Sequence, residues 1–252
     1  MGYDAADAAA ITEAVTRPHM RFVPVKEEHQ QIILCLHRTR QGFVEERTAT
    51  YNRLRGLISE FGIVLPQKVT CLRQSIGKHL DDLPGYSKQC INDLLSHADQ
   101  LDARITDYDK AIAKAAREDA RSKRLMERPG IGPITASALL ASIGNGHDFK
   151  NGRQVAAWIG LTPGQHSSGG KARLGHITKA GDSYLRSLLV MGARAVLNSI
   201  GDKQDYFSCW ARDLVARRGY WRAVVAIAAK NARIAWAVLH YGEDFRMNKS
   251  VA

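Results

Sequence analysis

The sequence predicts a mostly α-helical protein, in which long antiparallel coiled-coil helices precede a helical C-terminal domain. Three observations support this fold class. Apolar residues recur at helical spacing through most of the 252 residues. No convincing run of residues alternates between polar and apolar as a half-buried strand does. Proline and glycine fall between the periodic segments, where turns are expected.

The N-terminal segment carries Asp4 and Asp7, at a spacing that places both carboxylates on one face of a helix. Such a pair could hold Mg²⁺, which takes oxygen ligands and works with substrate phosphates. The same residues also suit an ordinary helix start, with Asp4 as the N-cap and Asp7 as a favourable first-turn acid. Spacing alone favours the helix start, because a two-metal nuclease needs further carboxylates.

Two long helices come next and form a predicted stalk. The first runs from about Glu27 to Phe61 and ends before Gly62, a residue type that suits a helix C-cap. The second follows a heptad pattern, whose apolar positions are Ile91, Leu94, Ala98, Leu101, Ile105, Tyr108, Ile112 and Ala115. An antiparallel pair is the simplest arrangement, closed either within one chain or against a second subunit. The pair therefore either supports its own core or mediates dimerisation.

A Pro-Gly-Ile-Gly turn follows the stalk, in residues 128–133, before a helix that continues through Ser142. The turn matches the helix-hairpin-helix pattern, in which Gly130 and Gly132 let backbone amides approach a DNA phosphate. Any tight turn between two helices has the same composition, so a purely structural role is equally open. Further helices are expected near residues 151–158, 182–199, 203–217 and 220–241.

A glycine-rich loop between these helices carries two adjacent serines, Ser167 and Ser168. His166 precedes them, and the surrounding cations are Lys171, Arg173, Lys179 and Arg186. A serine hydroxyl can attack phosphorus, while cations hold the phosphate and stabilise the charge that develops on it. The loop therefore has the residue types that phosphodiester chemistry on DNA requires.

The charge of the chain favours a polyanionic partner. There are 36 Lys and Arg against 25 Asp and Glu, a formal net charge of +11, and residues 151–252 hold 15 of the basic residues against 6 of the acidic ones. Nucleic acid or an anionic membrane surface would suit this asymmetry. No apolar run reaches the ~20 residues that span a bilayer, and no signal peptide is recognisable. The 4 cysteines form no CxxC pair, so a reduced, cytoplasmic protein without structural zinc is expected.

Four segments together resemble the DEDD-type insertion-sequence transposases, the "IS one-ten" family, over nearly the whole chain. They are DAADAAAITEAV with RPHMRFVPVK, RPGIGPITASALLASIG, GLTPGQHSSGGKARLGHITKAGDSYLRSLLVMGARA and KNARIAWAVLHYGEDF. The resemblance implies a ribonuclease-H-like N-terminal domain joined by a coiled coil to a helical transposase domain. It also implies DNA recombination by Mg²⁺-bound carboxylates together with a serine, guided in some members by a structured noncoding RNA.

Carried onto this chain, the resemblance makes Asp4 and Asp7 the last two acids of the four-carboxylate set and the Mg²⁺ ligands. Ser168 becomes the nucleophile, with Ser167 as the second choice. Lys171, Arg173 and Lys179 are expected, from their proximity, to stabilise the phosphate. The remaining expected nucleic-acid contacts are Arg186 and the two turn glycines, and His166 is either a proton acceptor or a solvated loop residue.

The expected domains are a ribonuclease-H-like remnant (1–26), the stalk (27–122) and the transposase domain (123–252), which contains the hairpin (128–145) and the serine loop (160–181). Complete members have a further segment before the Asp-x-x-Asp helix, so the chain is expected to be truncated and inactive alone. Expected partners are DNA, a structured guide RNA and a second copy bound through the coiled coil. The protein is expected to be associated with the nucleoid when it is bound to DNA. The alternatives are a non-catalytic DNA- or RNA-binding remnant that dimerises with an intact transposase, and a purely structural helical protein.

Overall fold

The computed structural model describes residues 3–18, 25–165 and 173–243. Within those ranges the chain forms ten helices and two short strands, which confirms the mostly α-helical fold class. The elements are α1 (Tyr3–Thr16), α2 (Glu28–Ser59), α3 (Val69–His79), α4 (Tyr86–Glu118), α5 (Ala120–Met126), α6 (Pro133–Ile143), α7 (Gly152–Trp158), β1 (Pro163–Gln165), β2 (Leu174–Ile177), α8 (Ser183–Ser199), α9 (Tyr206–Arg218) and α10 (Tyr220–Tyr241).

Helices α2 and α4 pair antiparallel within the chain and form the stalk. Residues late in α2 meet residues early in α4, and the reverse: Arg47 donates to Asp102 at 2.8 Å, and Arg40 pairs with Asp109. The predicted heptad positions of α4 are largely buried in this contact, including Ile105 and Ile112. The two helices therefore pack against each other within the chain, and dimerisation through the stalk stays a prediction.

The far end of the stalk has its own hydrophobic core, to which α3 contributes. Leu54 of α2, Leu72 and Ile76 of α3 and Ile91 of α4 are almost fully buried there. The observed end of α2 lies two residues before the predicted one. Helix α2 ends at Ser59, and Phe61 lies beyond it and is 44% exposed. Gly62, expected to follow the helix directly, lies in the turn after it at φ +77°.

The C-terminal domain is built around α10, which contacts α5, α7, α8 and α9. By length and composition alone, α10 is the one helix of the described residues that could cross a membrane, and 56% of its apolar window is buried inside the protein. Asn231 in the middle of this helix is fully buried and hydrogen-bonded. These contacts make α10 the core helix of the domain.

Two short antiparallel strands, β1 and β2, interrupt the helices, although the sequence shows no convincing run of strand-type alternation. Pro163 pairs with Ile177 and Gln165 pairs with Leu174, with an irregular register between the two pairs. Strands of three and four residues are too short for alternation to be visible in the sequence. The strands form the two sides of the predicted serine loop.

Candidate serine hairpin and nucleic-acid interface

The base of the β1–β2 hairpin is fixed tightly to the end of α7. At Gly160, an added Cβ would lie 2.1 Å from the carbonyl oxygen of Ala180, and at Gly181 it would lie 1.8 Å from that of Trp158. Both glycines have positive φ, +78° and +77°, a conformation that disfavours side chains. The chain entering the hairpin and the chain leaving it are therefore held in direct backbone contact.

Arg186, in the first turn of α8, closes the same junction. Its Nη1 donates to the carbonyl oxygens of Ile159 at 2.9 Å and Ala180 at 3.2 Å. Carbonyls at a helix C-terminus have no partner within the helix, so a guanidinium placed there satisfies them. Asp182 caps α8 by accepting from the amide N–H groups of Tyr184 and Leu185. The geometry accounts for Arg186 as a clamp, and its contact with nucleic acid stays a prediction.

Lys179 has an unusual backbone at the hairpin base. Among the described residues other than glycine, it alone has a positive φ, of 54°. Its amide donates to the carbonyl oxygen of Gly160 at 3.2 Å, which helps to hold this strained conformation. Such strain costs on the order of 1–3 kcal/mol and is concentrated at functional sites. The side chain is exposed, as is Arg173 directly before β2.

The tip of the hairpin, residues 166–172, lies outside the described residues. The predicted nucleophile Ser168, its alternative Ser167, and also Lys171 and His166 belong to this tip. The predicted Arg173 and Lys179 are the cations that the described strands and base bring next to it. The structure thus places the two ends of the serine segment.

The turn between α5 and α6 is packed into the domain through Gly130. An added Cβ there would lie 2.9 Å from the carbonyl oxygen of Gly192, and one at Gly192 would lie 2.0 Å from that of Gly130. The side chain of Asn231 donates to the carbonyl of Pro129 at 3.0 Å and accepts from Nε of Arg128 at 2.9 Å. Packing against α8 and α10 therefore explains the glycine at 130, and phosphate binding by it stays a prediction.

Gly132 occupies a different position at the same turn. It is the N-cap of α6, is exposed, and has no atom within 4 Å of an added Cβ. The first amides of a helix lack partners and can face an anion. Of the two glycines in the α5–α6 turn, Gly132 is thus the one whose backbone is open to a phosphate.

Two cations, the buried Arg128 and the half-buried Lys230, lie next to the turn. The guanidinium of Arg128 lies 4.0 Å from the ring centre of Phe207, and Nζ of Lys230 lies 4.0 Å from that of Trp210. Burial lowers the pKa of Arg128 to about 10. The pKa of Lys230 is lowered by burial and by the neighbouring positive charges of Arg128 and Arg233. The aromatic faces hold these cations in place.

The carboxylates predicted to bind Mg²⁺ lie apart from this region in helix α1. Asp4 and Asp7 are both exposed, and Asp4 lies within the first turn and not at the predicted N-cap position. In the described ranges no group of three or more His, Cys, Asp or Glu side chains could hold a metal ion. Two solvated carboxylates hold Mg²⁺ weakly, so the metal site stays a prediction that requires further ligands.

A series of buried side-chain hydrogen bonds, which the sequence analysis did not predict, joins α2 of the stalk to α6 and α8. His37 of α2 is 1% exposed; its Nδ1 lies 2.9 Å from the Tyr184 hydroxyl and its Nε2 2.9 Å from Oγ of Ser137. Burial, with a smaller contribution from Arg40, lowers the pKa of His37 to about 4. Oγ of Ser137 donates to the carbonyl of Pro133, so Nε2 of His37 carries the proton that it donates to Ser137. The sequence feature that could have indicated this role is a histidine on the apolar face of α2.

Comparison with known proteins places these features in a family. The profile of the Transposase IS116/IS110/IS902 family matches residues 122–207. A "Probable family 20 transposase" of Pseudomonas aeruginosa is 45% identical over 242 residues, which cover 94% of this chain and 72% of that protein. This chain belongs to that transposase family.

Two further relatives agree with this assignment. A "Putative transposase y4pF/y4sB" of Sinorhizobium fredii is 41% identical, over 99% of this chain and 65% of its own length. The "Transposase for insertion sequence element IS1111A" of Coxiella burnetii is 39% identical, over 96% of this chain and 68% of its own length. The chain thus spans about two thirds to three quarters of these relatives.

The family profile covers the helical turn and the serine hairpin together. Its match begins within α5 and ends at the start of α9, so it includes α6, the hairpin and all of α8. The Gly130–Gly192 contact and the Arg186 clamp fall inside the matched region. The features that fix the hairpin are therefore part of the segment that identifies the transposase family.

Proposed function

We propose that this chain is the DNA-binding and serine-bearing part of an insertion-sequence transposase, with Ser168 as the nucleophile. The observation that carries the proposal is the fixed hairpin base, where Gly160, Gly181 and Arg186 hold both ends of the serine segment. A nucleophile works when its approach to the reacting atom is constrained. The positive φ of Lys179 at the same base supports the proposal, because backbone strain is concentrated at functional sites.

In the proposed mechanism, the hydroxyl of Ser168 attacks a DNA phosphorus atom and displaces one sugar oxygen. The attack breaks one strand: one of its new ends carries the phosphoserine link, and the displaced sugar oxygen at the other end takes up a proton, in place of the one that the serine loses, to give a free hydroxyl. Arg173 and Lys179, exposed at the strands that lead to the serine, stabilise the negative charge on the phosphate oxygens. Asp4 and Asp7, together with carboxylates outside the described set, would hold the Mg²⁺ that assists cleavage.

The α5–α6 turn would position the duplex. Gly132 presents the open N-terminus of α6, and this type of contact reads the phosphate backbone and not the bases. Sequence choice would then come from elsewhere, and a structured guide RNA is the source that we propose. Copurification of a defined RNA with the expressed protein is the direct check.

A second candidate function follows from the exposed acids of α1. Asp4 and Asp7 have no third carboxylate beside them in the described part of the chain, so this chain alone would be catalytically incompetent. In this reading it binds DNA or RNA without cutting and dimerises with an intact transposase through the stalk. The two functions differ in the chemistry of Ser168 and share the binding surface.

Donor-plasmid rearrangement separates the two candidate functions. The assay uses this chain alone and a chimera in which the chain replaces the matched region of the Pseudomonas aeruginosa relative. We expect DNA binding by both and rearrangement by the chimera alone. Ser168→Ala in the chimera should abolish rearrangement and leave binding unchanged, while the matched control Ser167→Ala should retain activity.

The opposite results have clear meanings. Full activity of the chimera carrying Ser168→Ala would remove the serine from the mechanism. Rearrangement by the unmodified chain alone would overturn its incompetence. Affinity for DNA that hardly changes with salt would argue against phosphate contact altogether, because contact with phosphates releases counterions.

A further inference from the structure

The corner between α9 and α10 concentrates cations and aromatic rings on the surface. Its sequence is Arg217-Arg218-Gly219-Tyr220-Trp221-Arg222, and Gly219 makes the corner with φ +83°. Arg217, Arg218 and Arg222 are all exposed. Trp221 is 64% exposed, which is unusual for a side chain of its size and apolar area.

The indole of Trp221 is held in position although it is exposed. The ring of Tyr220 meets it in a T-shaped contact, with the two centroids 5.3 Å apart and the planes at 80°. Cζ of Arg194, on α8, lies 5.6 Å from the centre of the indole. The ring is therefore orientated before any partner arrives, which lowers the entropy lost on binding.

The charge around this ring is largely uncompensated. In the part of the chain that the structure describes, none of the four arginines, Arg194, Arg217, Arg218 and Arg222, forms an ion pair. Asp213, an exposed carboxylate, lies one turn before Arg217 on α9. The surface is thus strongly positive and favours an extended polyanion as its partner.

This surface is distinct from the α5–α6 turn. Gly192 of α8 faces Gly130 in the interior, and Arg194 follows it by two residues. Two residues of an α-helix correspond to a rotation of about 200°, so Arg194 projects from the opposite face of α8. The part of this surface that lies on α8 is therefore on the helix face opposite the Gly130 contact.

We propose that Trp221 and its four neighbouring arginines, the α9–α10 patch, bind an unpaired stretch of nucleic acid. A base would stack on the exposed indole, and the arginines would contact the phosphates on either side. An unpaired strand fits better than a duplex because a duplex hides the faces of its bases, whereas every unpaired base offers a face for stacking. The inference rests on the proposed function only in taking nucleic acid as the partner.

Fluorescence anisotropy with labelled oligo-dT, oligo-U and a mixed-sequence duplex of equal length tests this proposal. Trp221→Ala should weaken binding of the single strands by roughly 5- to 100-fold, the usual effect of losing one stacked base. Binding of the duplex should stay close to wild type. Trp221→Phe keeps a stacking face and should recover most of the affinity.

Tyr86→Ala is the matched control, because Tyr86 is an 84% exposed aromatic residue on the stalk. This control should bind both strand types as the wild type does. A double variant, Arg217→Ala with Arg218→Ala, should lower the salt dependence of single-strand binding by about 1 to 2 in log–log slope. Preference for oligo-dT or oligo-U identifies DNA or RNA as the source of the strand.

Three results would overturn the proposal: unchanged single-strand affinity in Trp221→Ala, an equal loss for duplex and single strands, or no single-strand binding by the wild type. The serine chemistry can fail independently. If single-strand binding depends on Trp221 but no covalent link forms between Ser168 and DNA, Ser168 is not the nucleophile and the α9–α10 patch still binds the strand. If the Ser168 link forms but single-strand binding does not depend on Trp221, Ser168 is the nucleophile and the patch proposal fails.

Discussion

At the scale of single residues, two glycines determine how the α5–α6 turn sits on the domain. The carbonyl of Gly130 occupies the space that a side chain at 192 would need, 2.0 Å from an added Cβ. We expect Gly192→Ala to lower the free energy of unfolding by at least about 2 kcal/mol, because a methyl group there forces backbone atoms apart. Urea denaturation followed by circular dichroism measures this change.

The control for this variant is Gly42→Ala in α2. Gly42 lies within a helix, and an added Cβ meets nothing within 4 Å. Alanine there should stabilise the protein by about 0.5–1 kcal/mol, since it favours the helix more than glycine does. If both variants behaved alike, the close contact between Gly130 and Gly192 would have no energetic weight.

His37 predicts a pH dependence of stability. Its pKa is lowered to about 4 in the folded protein, against about 6.5 in the unfolded chain. Between these values the unfolded state binds a proton that the folded state does not, so stability falls as the pH drops from about 6.5 to about 4. The contribution is at most about 3.4 kcal/mol.

His37→Gln removes this titration and should flatten the stability profile between pH 4 and 6.5, even if the variant is less stable throughout. The measurement is the urea midpoint as a function of pH. An unchanged slope would show that His37 is not a buried neutral histidine. The sequence did not reveal this role, because Ser137 and Tyr184 lie far from residue 37 along the chain.

At the scale of elements, the serine hairpin separates residues that shape it from residues that face its substrate. Arg186 donates to two backbone carbonyls, whereas the side chain of Lys179 is exposed. Arg186→Ala should therefore lower the melting temperature by a few degrees. Lys179→Ala should leave the melting temperature unchanged, weaken DNA binding and reduce the salt slope by about 1.

Thermal melts and salt-dependent anisotropy on the two variants distinguish these roles. If Arg186→Ala weakened DNA binding without lowering stability, the guanidinium would be a phosphate contact and not a clamp. If Lys179→Ala melted early, the lysine would serve the fold. Either result would mean that Arg186 and Lys179 do not have the separate roles assigned to them at the base of the β1–β2 hairpin.

The elements differ in how far the sequence predicted them. Helices α2 and α4 were predicted to within a few residues. Helix α4 carries a heptad sustained over several turns, and such a pattern has few alternative interpretations. Helix α3 and the strands were missed, because short elements give little periodicity and depend on tertiary contacts. Strand β2 is mostly exposed, so even its burial pattern carried no signal.

At the scale of the whole molecule, the sequence predicted the mostly helical fold but not the contacts that fix the candidate site. Charge and motif order indicated a stalk followed by a DNA-handling helical domain. The pairings of Gly130 with Gly192, Arg128 with Asn231, and Ile159 with Arg186 join residues distant in sequence. Such pairings follow from how the helices pack, and no local pattern encodes them.

Locating the covalent link between protein and DNA shows whether Ser168 is the residue that attacks DNA. The chimera described above is incubated with duplexes carrying the ends of its element, trapped in denaturant and digested for mass spectrometry. We predict a nucleotide-modified peptide with the phosphate on Ser168, lost in Ser168→Ala and retained in Ser167→Ala. Rearranged DNA formed without any protein-linked intermediate, or with the link on another residue, would contradict the account.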